Sequence, residues 1–228
     1  MIEYFMNKCN TYKAFTMFYE ADLLNLNDVD GIFSEEERSY LDSLTVKKNS
    51  EAKKSLYCAK FSIMKFLDIG LNEIKQISLL KGVFGQPVVI GNRFLPVNVG
   101  ISISHTSKTI GIVVFDQLHP MGIDVEQRTK EDSPFLEEYL TEHEREMIQG
   151  SSFLSKEILF SAKESLSKIL KTGLTTPLQI FEISRFEVDH EGILLFFSHF
   201  TQYQCKVVLR EDQIRSVTFP INSTKVNG

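Results

Sequence analysis

Residues 57–67, Tyr-Cys-Ala-Lys-Phe-Ser-Ile-Met-Lys-Phe-Leu, return 103 positions later as Phe-Ser-Ala-Lys-Glu-Ser-Leu-Ser-Lys-Ile-Leu at 160–170. Ala59, Lys60, Ser62, Lys65 and Leu67 recur as Ala162, Lys163, Ser165, Lys168 and Leu170. The register continues, with Gly70-Leu71 matched by Gly173-Leu174 and Gln76-Ile77 by Gln179-Ile180. Upstream, Ser-Glu-Glu-Glu-Arg at 34–38 resembles Thr-Glu-His-Glu-Arg at 141–145, with a small change of offset. A sustained internal register points to one supersecondary unit made twice. It predicts an α+β chain, a pseudo-dimer of two similar halves about a pseudo-two-fold axis, with a cleft between them.

Each copy reads the same way. Ser34 and Thr141 are N-cap residues with Glu37 and Glu144 three positions on, the pattern of a capping box. A long helix follows, at about 50–69 and 155–171, and Gly70 and Gly173 fall where a C-cap is expected. Strands are expected at about 76–80, 100–104, 109–115, 121–126, 180–188, 193–199 and 203–210. The halves are drawn at 1–116 and 117–228, the second carrying the acidic residues described next. One difference matters: Glu164 in the second copy stands where the first has Phe61. A duplicated fold with one acidic copy suggests a single active site at the interface of the halves.

Asp124 and Glu126 lie two apart in Met-Gly-Ile-Asp-Val-Glu, residues 121–126. In an extended strand both carboxylates point to one face and repel. Either they share a divalent cation, or they sit solvated at a strand end. Glu164, between Lys163 and Ser165, is the third carboxylate; the three together suit Mg²⁺, which prefers oxygen ligands. Lys163 and Lys168 could add positive charge for a phosphate, or Lys163, Glu164 and Lys168 could form a solvated helix face with an i,i+4 pair. Lys163 and Lys168 are five apart, about 140° around a helix, and share a side only loosely. At 101–107, Ile-Ser-Ile-Ser-His-Thr-Ser alternates and then presents hydroxyls and an imidazole at its end. That end is a phosphate cradle or a polar hairpin turn. Gly-Val-Phe-Gly-Gln-Pro at 82–87 is by itself a turn.

The chain has 43% hydrophobic residues, enough for a sizeable core, and a formal net charge of −5 with no basic stripe, which speaks against a nucleic-acid binder. Cys9, Cys58 and Cys205 have neither disulfide nor zinc spacing, which suits a reducing cytoplasm. The N-terminus does not read as a signal peptide, and the longest apolar runs are strand length, too short to span a membrane.

Taken in order, Gly-Gln-Pro at 85–87, Ile-Ser-Ile-Ser-His-Thr at 101–106, Gly-Ile-Asp-Val-Glu at 122–126 and Phe-Ser-Ala-Lys-Glu-Ser-Leu-Ser-Lys at 160–168 resemble the 4′-phosphopantetheinyl transferases of the surfactin-synthetase-associated type. The resemblance covers roughly residues 34–185, and its last two motifs carry most of its specificity. It implies the family's fold, a pseudo-dimer of two α+β halves. It also implies the reaction: phosphopantetheine moves from coenzyme A to a serine of an apo acyl or peptidyl carrier protein, and 3′,5′-ADP leaves. By match, Asp124, Glu126 and Glu164 hold Mg²⁺, with Mn²⁺ an alternative, and Glu164 is also the candidate general base. Lys163, Lys168, Ser104 and His105 would contact the phosphates of coenzyme A. Lys54 would meet the 3′-phosphate, and Gly85, Gln86 and Pro87 would lie beside the adenine. The carrier would dock around 133–150, near Leu170, Gly173 and Leu174. Like its relatives, the protein would be a monomer. Three departures are visible: Gln86 stands where the family has Lys, leaving Lys81 as a substitute charge, Phe160 stands where it has Trp, and the family's further basic residues upstream of Lys54 do not align, with Arg38, Lys47 and Lys48 as candidates. The competing reading is a decayed module that binds coenzyme A without transfer. The carrier and its pathway are not written in the sequence.

Overall fold

The structure, a computed structural model, describes residues 1–8, 10–24, 26, 29–91, 98–128 and 134–226, with only the backbone of Asp30 and Leu174. Cys9 and Ser133 lie outside the described residues. The chain forms two compact units, residues 1–120 with 225–228, and residues 121–224. It is an α+β protein, built from helices and antiparallel sheets.

In the first unit a hairpin of β1 (Ile2–Asn7) and β2 (Asn10–Glu20) joins β5 (Val99–His105) and β6 (Thr109–Asp116). With β12 (Thr224–Val226) at the edge, the sheet order is β12-β1-β2-β6-β5. The apolar run of β6 is buried from Thr109 to Phe115, as an interior strand requires. Helix α1 (Glu35–Asp42) leads to α2 (Val46–Leu67), which packs on β2, β5 and β6. Its buried residues Leu56, Ala59, Ile63 and Phe66 recur at helical spacing. A short α3 (Leu71–Ile74) and the hairpin β3 (Ser78–Lys81)–β4 (Pro87–Ile90) complete the unit.

The second unit repeats the plan. β7 (Gly122–Gln127), β11 (Gln213–Pro220), β10 (Tyr203–Arg210), β9 (Gly192–Phe197) and β8 (Ile183–Asp189) form an antiparallel sheet in that order. Helix α4 (Glu142–Gln149) precedes α5 (Lys156–Leu170), which packs on β7, β10 and β11. Leu159, Leu166, Leu195 and Phe197 are fully or almost fully buried between helix and sheet. Each stabilises by roughly 1.5–3 kcal/mol relative to exposure.

Both expected capping boxes form, Ser34 with Glu37 and Thr141 with Glu144. The helix ends differ from expectation. The left-handed C-cap residue is Asp68 for α2 and Lys171 for α5, two positions before Gly70 and Gly173, and the two remain 103 apart. Strands β1, β2, β4, β11 and β12 were not expected, and residues 178–181 form a 3-10 turn ahead of β8. Among the described residues no helix is long and apolar enough to cross a membrane.

Candidate active site

Asp124 and Glu126 share a face of β7 with Gly122, and that face meets α5. The approach is close: a Cβ on Gly122 would lie 1.9 Å from the Ser165 carbonyl oxygen. No side chain fits there, so α5 can press directly on the strand. Asp124 is buried. Its Oδ1 accepts from Lys168 Nζ at 2.7 Å and its Oδ2 from Ser161 Oγ at 2.8 Å. Lys168 Nζ also donates to the Ile123 carbonyl at 2.9 Å. Lys168 therefore reads as the local counter-charge of Asp124, reaching back along its own helix.

Glu164 is half-buried, and its Oε1 is enclosed with no hydrogen-bond partner. Burial first, and the charge of Asp124 second, raise its pKa, with Lys168 opposing. Glu126 is pushed up to about 7 by burial and then by Asp124, with Glu164 adding to the effect and Lys168 opposing it. The three carboxylates thus feel one another, in surplus over Lys168 beside them. A buried carboxylate oxygen left unpaired is costly, and a cation is one way to satisfy it. The donor set is oxygen only, which fits a hard divalent ion. Among the described residues no three acidic, imidazole or thiol groups form a ready-made cage; Lys168 takes Asp124 Oδ1 instead.

Lys163 does not share this arrangement. It is fully buried, and its Nζ donates to Glu144 Oε2 at 2.6 Å and to the Tyr139 carbonyl at 2.7 Å. Glu144 also accepts from the amides of Thr141 at 2.8 Å and Ile183 at 2.9 Å. The first unit holds the same device. Lys60 pairs with Glu37 at 3.0 Å and donates to the Ile77 carbonyl, while Glu37 accepts from the amides of Ser34 at 2.8 Å and Leu79 at 2.7 Å. The same lysine–glutamate pair thus occurs in both copies, and in the second Lys163 fastens α5 to α4 and to the start of β8. Its five-residue separation from Lys168 turns the two lysines to different partners.

Comparison of the two long helices isolates what is special to the second. Cys58, Phe61 and Met64 of α2 correspond to Ser161, Glu164 and Ser167 of α5, one helical face made polar in one copy only. Lys65 of α2 sits over the Phe61 ring at 5.3 Å, whereas its counterpart Lys168 reaches a carboxylate.

The remaining expected residues belong to the first unit. Ser104 is buried near the end of β5, and His105 is exposed at its last position. The turn after it closes through Thr106, whose Oγ1 accepts from Thr109 N at 3.1 Å. Lys54 is half-buried on α2. Gly85 takes a left-handed φ of 79° at the β3–β4 tip. The Gln86 amide turns back on its own loop, its Oε1 accepting from Phe84 N at 3.0 Å, while Lys81 lies over the Tyr40 ring at 5.0 Å. Gln86 thus stabilises the hairpin tip where a lysine would have carried charge outward. Phe160 packs 5.4 Å from the Tyr139 ring, keeping an aromatic at the expected Trp position. Cys58 and Cys205 are buried free thiols, pushed up to about 12 and about 11 by burial.

Residues 120–217 match the family model of the 4′-phosphopantetheinyl transferase superfamily. The match runs through most of the second unit and contains Asp124, Glu126, Glu164 and Lys168. It supports a transferase of this superfamily, the assignment to which the motifs pointed. No curated protein matches the chain.

Proposed function

We propose that this protein is a phosphopantetheinyl transferase of the surfactin-synthetase-associated type. It transfers 4′-phosphopantetheine from coenzyme A to a serine of an apo acyl or peptidyl carrier protein, as a monomer in the cytoplasm. The observation that carries the reading is the face of α5 made polar in one copy only. It sets the enclosed, unpartnered Glu164 Oε1 in the electrostatic reach of Asp124 and Lys168, within the stretch that matches the superfamily.

Asp124, Glu126 and Glu164 would hold a divalent cation, Mg²⁺ or Mn²⁺. When bound, the cation neutralises the pyrophosphate of coenzyme A and the charge on the leaving group. The chain's own residues do the rest. Lys168, more accessible than Lys163, takes a phosphate oxygen. Lys54, Ser104 and His105 hold the other phosphates, and Gly85, Gln86 and Pro87 border the adenine. Glu164, whose pKa is raised by burial and then by Asp124, accepts the proton of the carrier serine directly or through water. The serine oxygen bonds to the β-phosphorus as the bond to the bridging oxygen breaks, and 3′,5′-ADP departs with that oxygen. Lys163 has no part in this account except to hold α5. The exposed Phe135 gives the carrier an apolar contact in the stretch the resemblance assigns to docking.

The test is intact-mass spectrometry of apo carrier proteins incubated with this protein, coenzyme A and Mg²⁺, with EDTA as control. The expected result is a metal-dependent gain of one phosphopantetheine, lowered about 100-fold or more in Asp124→Ala and Glu164→Ala. Binding of coenzyme A without transfer to any carrier class would mean a decayed binding module.

A further inference from the structure

Under Asp124 lies a row of buried hydroxyls that the transfer reaction, as described above, does not use. Helix α5 contributes Ser161 and Ser165, and β11 contributes Ser216 and Thr218, all fully buried. Ser165 bonds Thr218, and Ser161 bonds Ser216 at 2.8 Å. Ser216 is also the cross-strand partner of Asp124 in the β7–β11 ladder, and Thr218 that of Gly122. The two hydroxyl pairs are rungs between the helix and the sheet. Only the Ser161–Ser216 rung reaches the carboxylate.

That rung turns on one proton. A serine hydroxyl has one proton to donate. Asp124, the carboxylate partner of Lys168, is an acceptor, so the 2.8 Å bond from Ser161 Oγ to Asp124 Oδ2 uses the proton of Ser161. Ser161 Oγ is also the donor in the 2.8 Å bond to Ser216 Oγ, so its one proton is shared between the carboxylate and that hydroxyl. Both bonds start at Ser161 Oγ and hold that hydroxyl between Ser216 and Asp124 Oδ2, the charged acceptor making the stronger of the two. In the first copy the position of Ser161 is Cys58, a far weaker donor, and no carboxylate depends on it. The strong hydroxyl donor occurs only in the copy that carries the acids.

From this geometry we propose that Ser161, backed by Ser216, is a positioning residue for Asp124. The serine pair pins Oδ2 toward the protein interior. Oδ1 is thereby left as the oxygen exchanged between Lys168 and a divalent cation. Without the pair Asp124 can rotate, and its directed oxygen is lost. The proposal rests on the reading of Asp124 as a cation ligand, and it assigns two residues to that site that the family resemblance did not supply.

The test uses the full chain and Mn²⁺ alone, with bound ion read by electron paramagnetic resonance and folding by urea denaturation. Ser161→Ala is expected to weaken Mn²⁺ about 10-fold, within the range for losing a hydrogen-bonded support of a metal ligand. Ser216→Ala, one bond further out, should weaken it less. The double variant should equal Ser161→Ala, because the second hydroxyl acts only through the first. Ser165→Ala removes a buried hydroxyl of the same helix that does not touch Asp124, and should leave Mn²⁺ affinity unchanged. Equal Mn²⁺ affinity in Ser161→Ala and wild type overturns the positioning role and leaves the transferase reading intact. So does a loss in Ser165→Ala as large as in Ser161→Ala, which would make the effect generic. Should Ser161→Ala fail to fold, Ser216→Ala decides, since unchanged affinity there removes the second member of the pair. A wild-type protein that binds no Mn²⁺ overturns both the cation site and the positioning role.

Discussion

Glu126 shows how a single residue records the strain of the site. Its pKa is raised to about 7, first by burial and then by Asp124. The unfolded chain releases this proton near pH 4.5 and the folded chain only near 7, so between those values the unfolded state is the more deprotonated. The stability associated with Glu126 is therefore present below about pH 4.5 and is lost as pH rises through 7. His119 slopes the other way. It is buried between the rings of Phe5 and Tyr12, and burial lowers it to about 4, so its share of stability is lost as pH falls from 6.5 toward 4. Wild type alone would show the two effects mixed. The informative comparison is Glu126→Gln against wild type in urea denaturation at pH 5 and pH 8, without divalent metal. The variant should gain on wild type as pH rises. A constant difference would mean that Glu126 titrates normally in the folded protein. Asp124 and Glu126 could be picked out in the sequence because two acids on one strand face need a reason. Ser161 could not, since its use depends on Ser216, in a strand the sequence reading missed.

Helix α5 and strand β7 form the element pair on which the site depends, and Gly122 sets their separation. A methyl group at 122 would meet the backbone oxygen of Ser165 at 1.9 Å, where no flexible side chain can yield. Gly122→Ala should destabilise the protein by about 3 kcal/mol, the upper part of the range for overpacking. It should also weaken Mn²⁺ binding, because the strand carrying Asp124 must move away from Ser161 and Lys168. Unchanged stability, with unchanged amide exchange along β7, would show that the helix shifts freely and that the close approach is incidental. The helices were readable because apolar spacing and capping boxes are local signals. Their ends were not: Asp68 and Lys171 take the left-handed cap although Gly70 and Gly173 were available two positions on. The β1–β2 hairpin alternates apolar and polar residues only in part, and β11 was missed although Ile214, Val217 and Phe219 mark it. Both sets of strands are held by partners distant in sequence, β2 by β6 and β11 by β7.

At the scale of the whole molecule, duplication separates what the fold needs from what the chemistry needs. Features kept in both copies hold each unit together, and the proposed site draws on features present in one copy. Lys163 is the case where the two criteria part. Its motif neighbours implied a ligand for phosphate, yet Lys60 repeats it in a copy without acids, and both lysines are buried against a capping-box glutamate. The sequence showed the recurrence of the lysine and, separately, that of the glutamate. What it did not show is that they meet, since a long side chain crossing from one helix to the cap of another is a tertiary event. Removing one partner of a buried pair leaves the other charge uncompensated and costs about 3–5 kcal/mol. Lys60→Met and Lys163→Met should therefore lower stability by similar amounts, each within its own unit. Native-state hydrogen exchange reads this locally, because Glu37 accepts from the Leu79 amide and Glu144 from the Ile183 amide. Lys60→Met should speed exchange at Leu79, and Lys163→Met at Ile183. If Lys163→Met instead keeps full protection at Ile183 and loses only affinity for coenzyme A, Lys163 is a ligand residue after all, and recurrence across the copies does not mark structure.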